Sequence, residues 1–535
     1  MGHIQPIQGE SVSLGLNSLK VTLLGLTGLA SGFLVDAVLT AFFGLGAKTD
    51  ILFVASVVPL GFQTIITLQC QKVFQPIFLH KWNMIGQSEA WNLLNKAVIY
   101  GVGWGILFCG LGIALSPLLV ELQISEYSVS DKQQATFLAQ AYFVSVIGII
   151  PIQIYNSVLT GLGHFLVPSI SRTIENLFKL VLAFLVLPRW GLVSIPIAIV
   201  LSSIWQAQQS QMALKRLGYR FVAKPAGPGI GFGSLLRTSS FPLMGHGLSL
   251  AVELIQNLIA TSLGVGALSA LRFATRIIDS VAGLVTNGVV TASGPPILNA
   301  ISVHDFAKAE RSLSQGIQYL ILIGLPACGA LIALGDWGIR ILFERKNFTP
   351  EHTALIWKVA ATMSPYILFS RLYSLLEIPF YGRRDTRTPV IGQLFLAILY
   401  TLTCVGLSRA WGLVGFSVAK STAYILGCGC LYVLLRRGPF PVVPTLNLRV
   451  LIKVIAASAL FTTSAYIVGA MAGAIPKQQT MRWIAVLLAG GLVSSAILAI
   501  MVHLLGLVNL IKFLRRFLPK RVSAPSDRPL PQSQG

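Results

Sequence analysis

Fourteen stretches of this chain run for about 20 mostly apolar residues or more, the length a helix needs to cross the hydrocarbon of a bilayer. They fall near 19–43, 51–79, 95–121, 135–160, 165–187, 191–212, 235–263, 267–298, 314–343, 352–381, 388–407, 412–435, 449–473 and 482–510. In hydrocarbon the backbone must satisfy its own hydrogen bonds, and segments of this length do so as helices. Of the 535 residues, 54% are hydrophobic and only 11% are charged. A soluble domain carries about 25% charge, so this chain cannot build a water-facing surface. The expected class is an all-α polytopic membrane protein of about 14 transmembrane helices.

The net charge of +22 would suggest nucleic acid in a soluble protein. Here the basic residues sit mostly in short segments between apolar runs, so membrane orientation explains them and no nucleic-acid partner is expected. Counting Lys and Arg gives about 23 on the side shared by the termini and about 8 on the other, which places both termini in the cytoplasm. The six cysteines, Cys70, Cys109, Cys328, Cys404, Cys428 and Cys430, lie in or beside apolar runs. They read as small buried hydrophobes, with neither a metal site nor a disulfide framework expected. The first apolar run continues without a cleavage pattern and is read as a span. The basic, Pro- and Ser-rich residues 512–535 read as a mobile cytoplasmic tail.

Two segments repeat. "GLGAKTDILFVAS" from Gly44 matches "GVGALSALRFATR" from Gly264, aligning Gly44 with Gly264, Gly46 with Gly266 and Phe53 with Phe273. At a spacing one residue longer, Gly161 aligns with Gly382 and Pro168 with Pro389. Each copy holds six spans, and an even number keeps the copies parallel. The expected architecture is therefore two six-helix lobes, residues 1–222 and 223–440, related by a pseudo-two-fold axis along the membrane normal. Residues 441–511 add two C-terminal helices outside the repeat.

Charges inside spans are costly unless they face protein or water, so they mark candidate sites. Arg272 and Arg276 in the eighth span are four apart and share a helix face. A guanidinium binds phosphate oxygens in a bidentate fork, so both are candidates to hold a phosphate. Arg276 and Asp279, three apart, are spaced to pair. Asp36 in the first span and Asp50 at the start of the second are further candidates. For Asp50, capping of its own helix and a gating role both stand open. Glu253, near Gln256 and Asn257, is a candidate coupling-cation or proton site or a hydrogen-bonded interhelical group. Arg172, Glu175 and Lys179 have helical spacing and either line a groove or satisfy one another. His246 reads as a buried polar residue. The turn "FYGRRDTRTPVIG" carries Arg383, Arg384, Asp385 and Arg387 at a cytoplasmic elbow.

Four segments, "DAVLTAFFGLGAKTDILFVA", "ALRFATRIIDSVAGLVTNGVVTASGPPI", "LFERKNFTPEHTA" and most specifically "FYGRRDTRTPV", resemble the MurJ/MviN family of lipid II flippases, in the multidrug/oligosaccharidyl-lipid/polysaccharide exporter superfamily. The resemblance implies two lobes around a cationic cavity in a bacterial inner membrane. It implies a cargo of polyprenyl-diphosphate-linked sugar, moved from the cytoplasmic to the outer leaflet for peptidoglycan synthesis, with no bond made or broken. Positions where the family carries arginines fall on Leu29, Val35 and about Gln63, and the acidic neighbour of the eighth-span arginine is Thr275. Either Arg272 and Lys72 compensate, or the cargo is another lipid-linked oligosaccharide.

The reading is a lipid II-like flippase, with Arg276, Arg272, Asp50, Asp36 and Lys72 as substrate contacts and Glu253 and Asn257 as the candidate coupling-ion site. Its partners are the lipid-linked glycan and membrane lipids. No cofactor, metal or enzymatic activity is expected, and the sequence carries no signal of oligomeric state. The rivals are a flippase for an O-antigen-type unit, a cation-coupled drug antiporter, which would favour acidic walls over Arg272 and Arg276, and a non-transporting membrane scaffold of the same fold.

Overall fold

The computed structural model describes residues 10–185, 187–222, 232–383, 385, 387–438, 442–445, 448–473 and 480–504. Among these, the regular elements are helices. The first half contains α1 (Glu10–Phe43), α2 (Ala47–Gln69), a π-helical segment (Cys70–Phe74), α3 (Gln75–Met84), α4 (Gln87–Gln123), α5 (Val129–Gly161), α6 (Leu166–Leu185), α7 (Leu187–Trp190) and, after a single 3-10 turn, α8 (Ser194–Arg216). The second half contains α9 (Phe232–Ser262), α10 (Ala267–Ser302), α11 (Phe306–Phe343), α12 (Pro350–Met363), α13 (Pro365–Gly382), α14 (Arg387–Trp411) and α15 (Leu413–Arg437), followed by α16 (Leu448–Gly473) and α17 (Thr480–Leu504).

Eleven of these stretches are long and apolar enough to cross a membrane. The other expected spans fall on α6, which carries Arg172, Glu175 and Lys179, on α9, and on the pair α12 and α13. The expected single span over 352–381 is broken at Ser364, because Pro365 lacks the N–H that would continue the helix. On α4, Leu107, Leu111, Leu115, Leu118 and Leu122 are all about half exposed or more. So wide an apolar stripe on the outside belongs to a lipid-facing surface.

Helices α1, α2, α4, α5, α6 and α8 pack mainly on one another. Helices α10 to α15 do the same, α9 packs on α14, α10, α2 and α4, while α16 covers α11 and α17 covers α16. A Cβ on Gly329 of α11 would collide with Thr462 of α16, so close approach fixes the contact between α11 and α16. The first group meets the second through α2 with α9 and α10, α1 with α11, α4 with α9, and the π-helical segment with α9. We call the end of the bundle where α1 begins the near end, and the opposite end, holding the turns after α1, α4, α9 and α11, the far end.

The repeat glycines make equivalent turns. Gly44 has φ +62° after α1 and Gly264 has φ +116° after α9, both in the left-handed region that excludes most side chains. Gly161 and Gly382 each end a helix, and Pro168 and Pro389 each lie in the first turn of the next. The repeat mates Phe53 and Phe273 touch each other, edge to face, with ring centroids 5.5 Å apart. Leu45 likewise lies against Gly266.

Candidate substrate site and far-end closure

Arg276 lies about 14 Å along α10 from its far end, at 1.5 Å per residue. Its Nε sits 2.6 Å from Asp36 Oδ2 on α1, joining the two packing groups. Asp36 is 4% exposed, so its charge depends on this partner. Lys179 of α6 lies close enough to add to the field at Asp36, while bonding Glu175 Oε1 at 2.6 Å. Gly32 makes room for the guanidinium: a Cβ there would stand 2.8 Å from Arg276 Nη2. Asn176 of α6 braces the same stretch of α1, donating to Gly28 O at 3.0 Å and Ser31 Oγ at 3.1 Å. The Arg276 side chain is still 47% exposed. One side of the guanidinium is bound and the rest is available.

The local pair expected between Arg276 and Asp279 is replaced by this cross-group pair, and Asp279 instead lies against the Tyr366 hydroxyl. Arg272 stays within the second group. Its Nη1 donates to Glu253 Oε1 and its Nη2 to Asn257 Oδ1. The two residues expected to form a coupling-ion site therefore share a tethered cation. Asn257 is fully buried, and its Nδ2 donates to Gln123 Oε1 at 2.9 Å, at the end of α4. Thr261 of α9 donates to the backbone oxygen of the same Gln123.

Asp50 caps a helix, but not its own. One carboxylate oxygen accepts from the Gly266 amide at 2.6 Å and the other from the Ser269 amide at 2.7 Å, at the start of α10. The Tyr127 hydroxyl donates to it at 2.7 Å. Free amides and a favourable dipole make a helix N-terminus a good seat for a carboxylate. Nearby, Asn347 Nδ2 donates to Phe42 O at 2.7 Å, tying the turn after α11 to α1. A Cβ on Gly44 would press on Asn347 O at 2.6 Å.

Lys72, on the π-helical segment, is exposed and within electrostatic reach of Glu377 on α13, which accepts from Gln393 Nε2 at 3.2 Å. It is remote in sequence from the cluster at Arg276 and Arg272 and shares no contact with either. At the elbow, Asp385 accepts from the amides of Arg387 at 3.0 Å and Thr388 at 3.1 Å, and from the Thr388 hydroxyl at 2.6 Å, capping α14. Burial alone would raise its carboxyl, but the Thr388 and Arg387 hydrogen bonds and the Arg383 charge outweigh that and hold it below the usual carboxylate range. Arg383 packs against Gly438 at the end of α15, so the elbow fastens three helices. Arg384, the side chains of Arg172 and His246, and the tail from 512 lie outside the described residues.

Sequence reading missed Gln123, Tyr127, Asn176 and Thr261. Asn176 carried a usable signal, lying three residues before Lys179 and four after Arg172 on one helical face. Gln123 and Tyr127 carried none, since their partners are more than 75 residues away in the chain for Tyr127 and farther for Gln123.

Residues 39–494 match the family model described as lipid II flippase MurJ. A probable lipid II flippase MurJ of Buchnera aphidicola subsp. Baizongia pistaciae is 21% identical over 432 residues, covering 80% of this chain and 84% of the relative. Its counterpart in Vibrio cholerae is 23% identical over 418 residues, covering 75% and 79%. A solved lipid II flippase MurJ in an inward closed conformation superposes with a TM-score of 0.73 at 20% identity, over 90% of this chain and 98% of that one. An inward-facing multidrug resistance MATE family transporter of the MOP superfamily follows at 0.66 and 15%, over 77% and 93%. The chain belongs to the MurJ lipid II flippase family.

Proposed function

We propose that this chain moves lipid II, a polyprenyl-diphosphate-linked peptidoglycan precursor, from the cytoplasmic to the outer leaflet by alternating access. The observation that carries the reading beyond family membership is Arg276: a half-exposed guanidinium, deep along a spanning helix, ion-paired across two packing groups. Such a group is tolerated only where it faces protein or water, so the space beside it is polar. The basic elbow and the excess of Lys and Arg at the near end make that end cytoplasmic. The far end, closed by Asp50, Gln123 and Asn347, then faces outward.

The two packing groups act as lobes, residues 1–222 and 223–440. Contact between the repeat mates Phe53 and Phe273 supports a pseudo-two-fold axis passing close to them, because a residue and its mate meet only near such an axis. A diphosphate entering from the cytoplasmic side competes with Asp36 for Arg276, its oxygens matching the guanidinium fork. Bound in this way its charge never meets hydrocarbon, which would otherwise be prohibitive. Freeing Asp36 removes one tie between lobes, so the cargo has different affinities for the two states, as any ligand that drives a switch must. The lipid tail stays in the bilayer, and the protein side chains make and break no covalent bond.

The test is outer-leaflet accessibility of lipid II in cells depleted of their own flippase. The chain restores it, and Arg276→Ala, expressed at the same level, reduces it at least about tenfold, the loss of a charge-assisted contact of roughly 1.5–3 kcal/mol. Restoration by the variant at the wild-type level rules the mechanism out, while rescue only of a different lipid-linked glycan reassigns the cargo.

A further inference from the structure

The row of hydrogen bonds running from Arg272 to Gln123 connects a candidate phosphate-binding cation to the far-end closure. We propose that Asn257 and Gln123 are positioning residues that carry cargo binding at Arg272 to the opening of the far end, with Glu253 as the counter-ion that the diphosphate displaces. This rests on the reading of the chain as a carrier of a lipid diphosphate.

Four features carry it. First, Arg272 has two partners of unequal mobility. The Glu253 side chain is 37% exposed and can turn to water when displaced, whereas Asn257 is fully buried and cannot. Second, Asn257 is used at both ends: its oxygen accepts from Arg272 and its amide nitrogen donates to Gln123. When Arg272 turns to a phosphate, that oxygen is left dry and unpartnered, which costs enough to shift the side chain and with it the bond to Gln123. Third, Gln123 is the last residue of α4 and meets α9 twice, through Asn257 and through Thr261 on its own backbone oxygen. Disturbing it loosens the contact between α4 and α9 where the far end is held shut. Arg272 also keeps Nε buried without a partner, a spare donor that a second acceptor can use.

The experiment reads far-end distance in the full chain in lipid nanodiscs. Spin labels are placed at Val129→Cys, at the far-end start of α5, and Val265→Cys, on the turn after α9, both exposed, with Cys430→Ala removing the cysteine that is not fully buried. In this background lipid II shifts the closed–open equilibrium by about tenfold, an ordinary coupling. Gln123→Met, close to glutamine in volume and so expected to fold, binds lipid II but responds by less than about twofold. Arg272→Met, which leaves the Asn257 oxygen without its donor, opens partly without any lipid, and Arg272→Lys restores closure. Equal lipid II responses in Gln123→Met and the wild type overturn the relay, as does an Arg272→Met variant that stays closed. If Arg272→Met opens without ligand but the wild type ignores lipid II, the relay holds and the cargo reading falls.

Discussion

Arg276 shows what local spacing can and cannot reveal. Its importance was legible because a charge in an apolar run demands a reason. Its partner was not: Asp279 stands three residues away and Asp36 in another helix, and only packing decides between them. The same holds for Glu253 and Asn257, whose polarity was visible but whose occupant, Arg272, was not. Asp385 gives a prediction with a defined pH window. Its folded carboxyl lies below the usual range, so the stability it adds is present above about pH 3.9, the unfolded value, and fades as pH falls through the depressed folded value. Thermal unfolding of the wild type and Asp385→Asn is expected to differ from neutral pH down to about pH 4 and to converge below it. A difference that persists undiminished below the carboxylate range assigns the effect to something other than this charge.

At the level of elements, the order and approximate extent of the helices follow from apolar length, and the repeat glycines mark matching turns. The break at Ser364 was readable from Pro365 but overridden by the apolar run around it. The π-helical segment ahead of Pro76 carried no comparable signal. The cap on α10 was hidden for another reason: the capping carboxylate comes from α2, more than 200 residues earlier. Asp50→Ala strips acceptors from two buried amides and a tyrosine hydroxyl, and each stranded group costs about 1–3 kcal/mol. The far-closed state is thereby weakened, and a thiol at Val265→Cys is expected to react faster with a membrane-impermeant maleimide. Gly44→Ala is expected to act the same way, because a Cβ meets both an unfavourable φ and the Asn347 carbonyl. Unchanged labelling in Asp50→Ala argues that the cap on α10 plays no part in closure.

For the whole molecule, hydropathy and the repeat were enough to anticipate an all-helical bundle with two added C-terminal helices. They did not reveal that the two packing groups are tied by the Arg276–Asp36 ion pair part-way along the bundle and by the Asp50 cap and hydrogen bonds at the far end, because those ties join residues far apart in the chain. Arg276 is then a shared guanidinium, held by Asp36 when the carrier is empty and by the diphosphate when it is loaded. Binding of lipid II to the purified full-length chain in nanodiscs, compared among wild type, Arg276→Ala and Asp36→Asn, tests this most directly. The prediction is opposite shifts: at least about tenfold weaker binding for Arg276→Ala, and tighter binding for Asp36→Asn, which removes the competitor. Equal affinity in all three would contradict it.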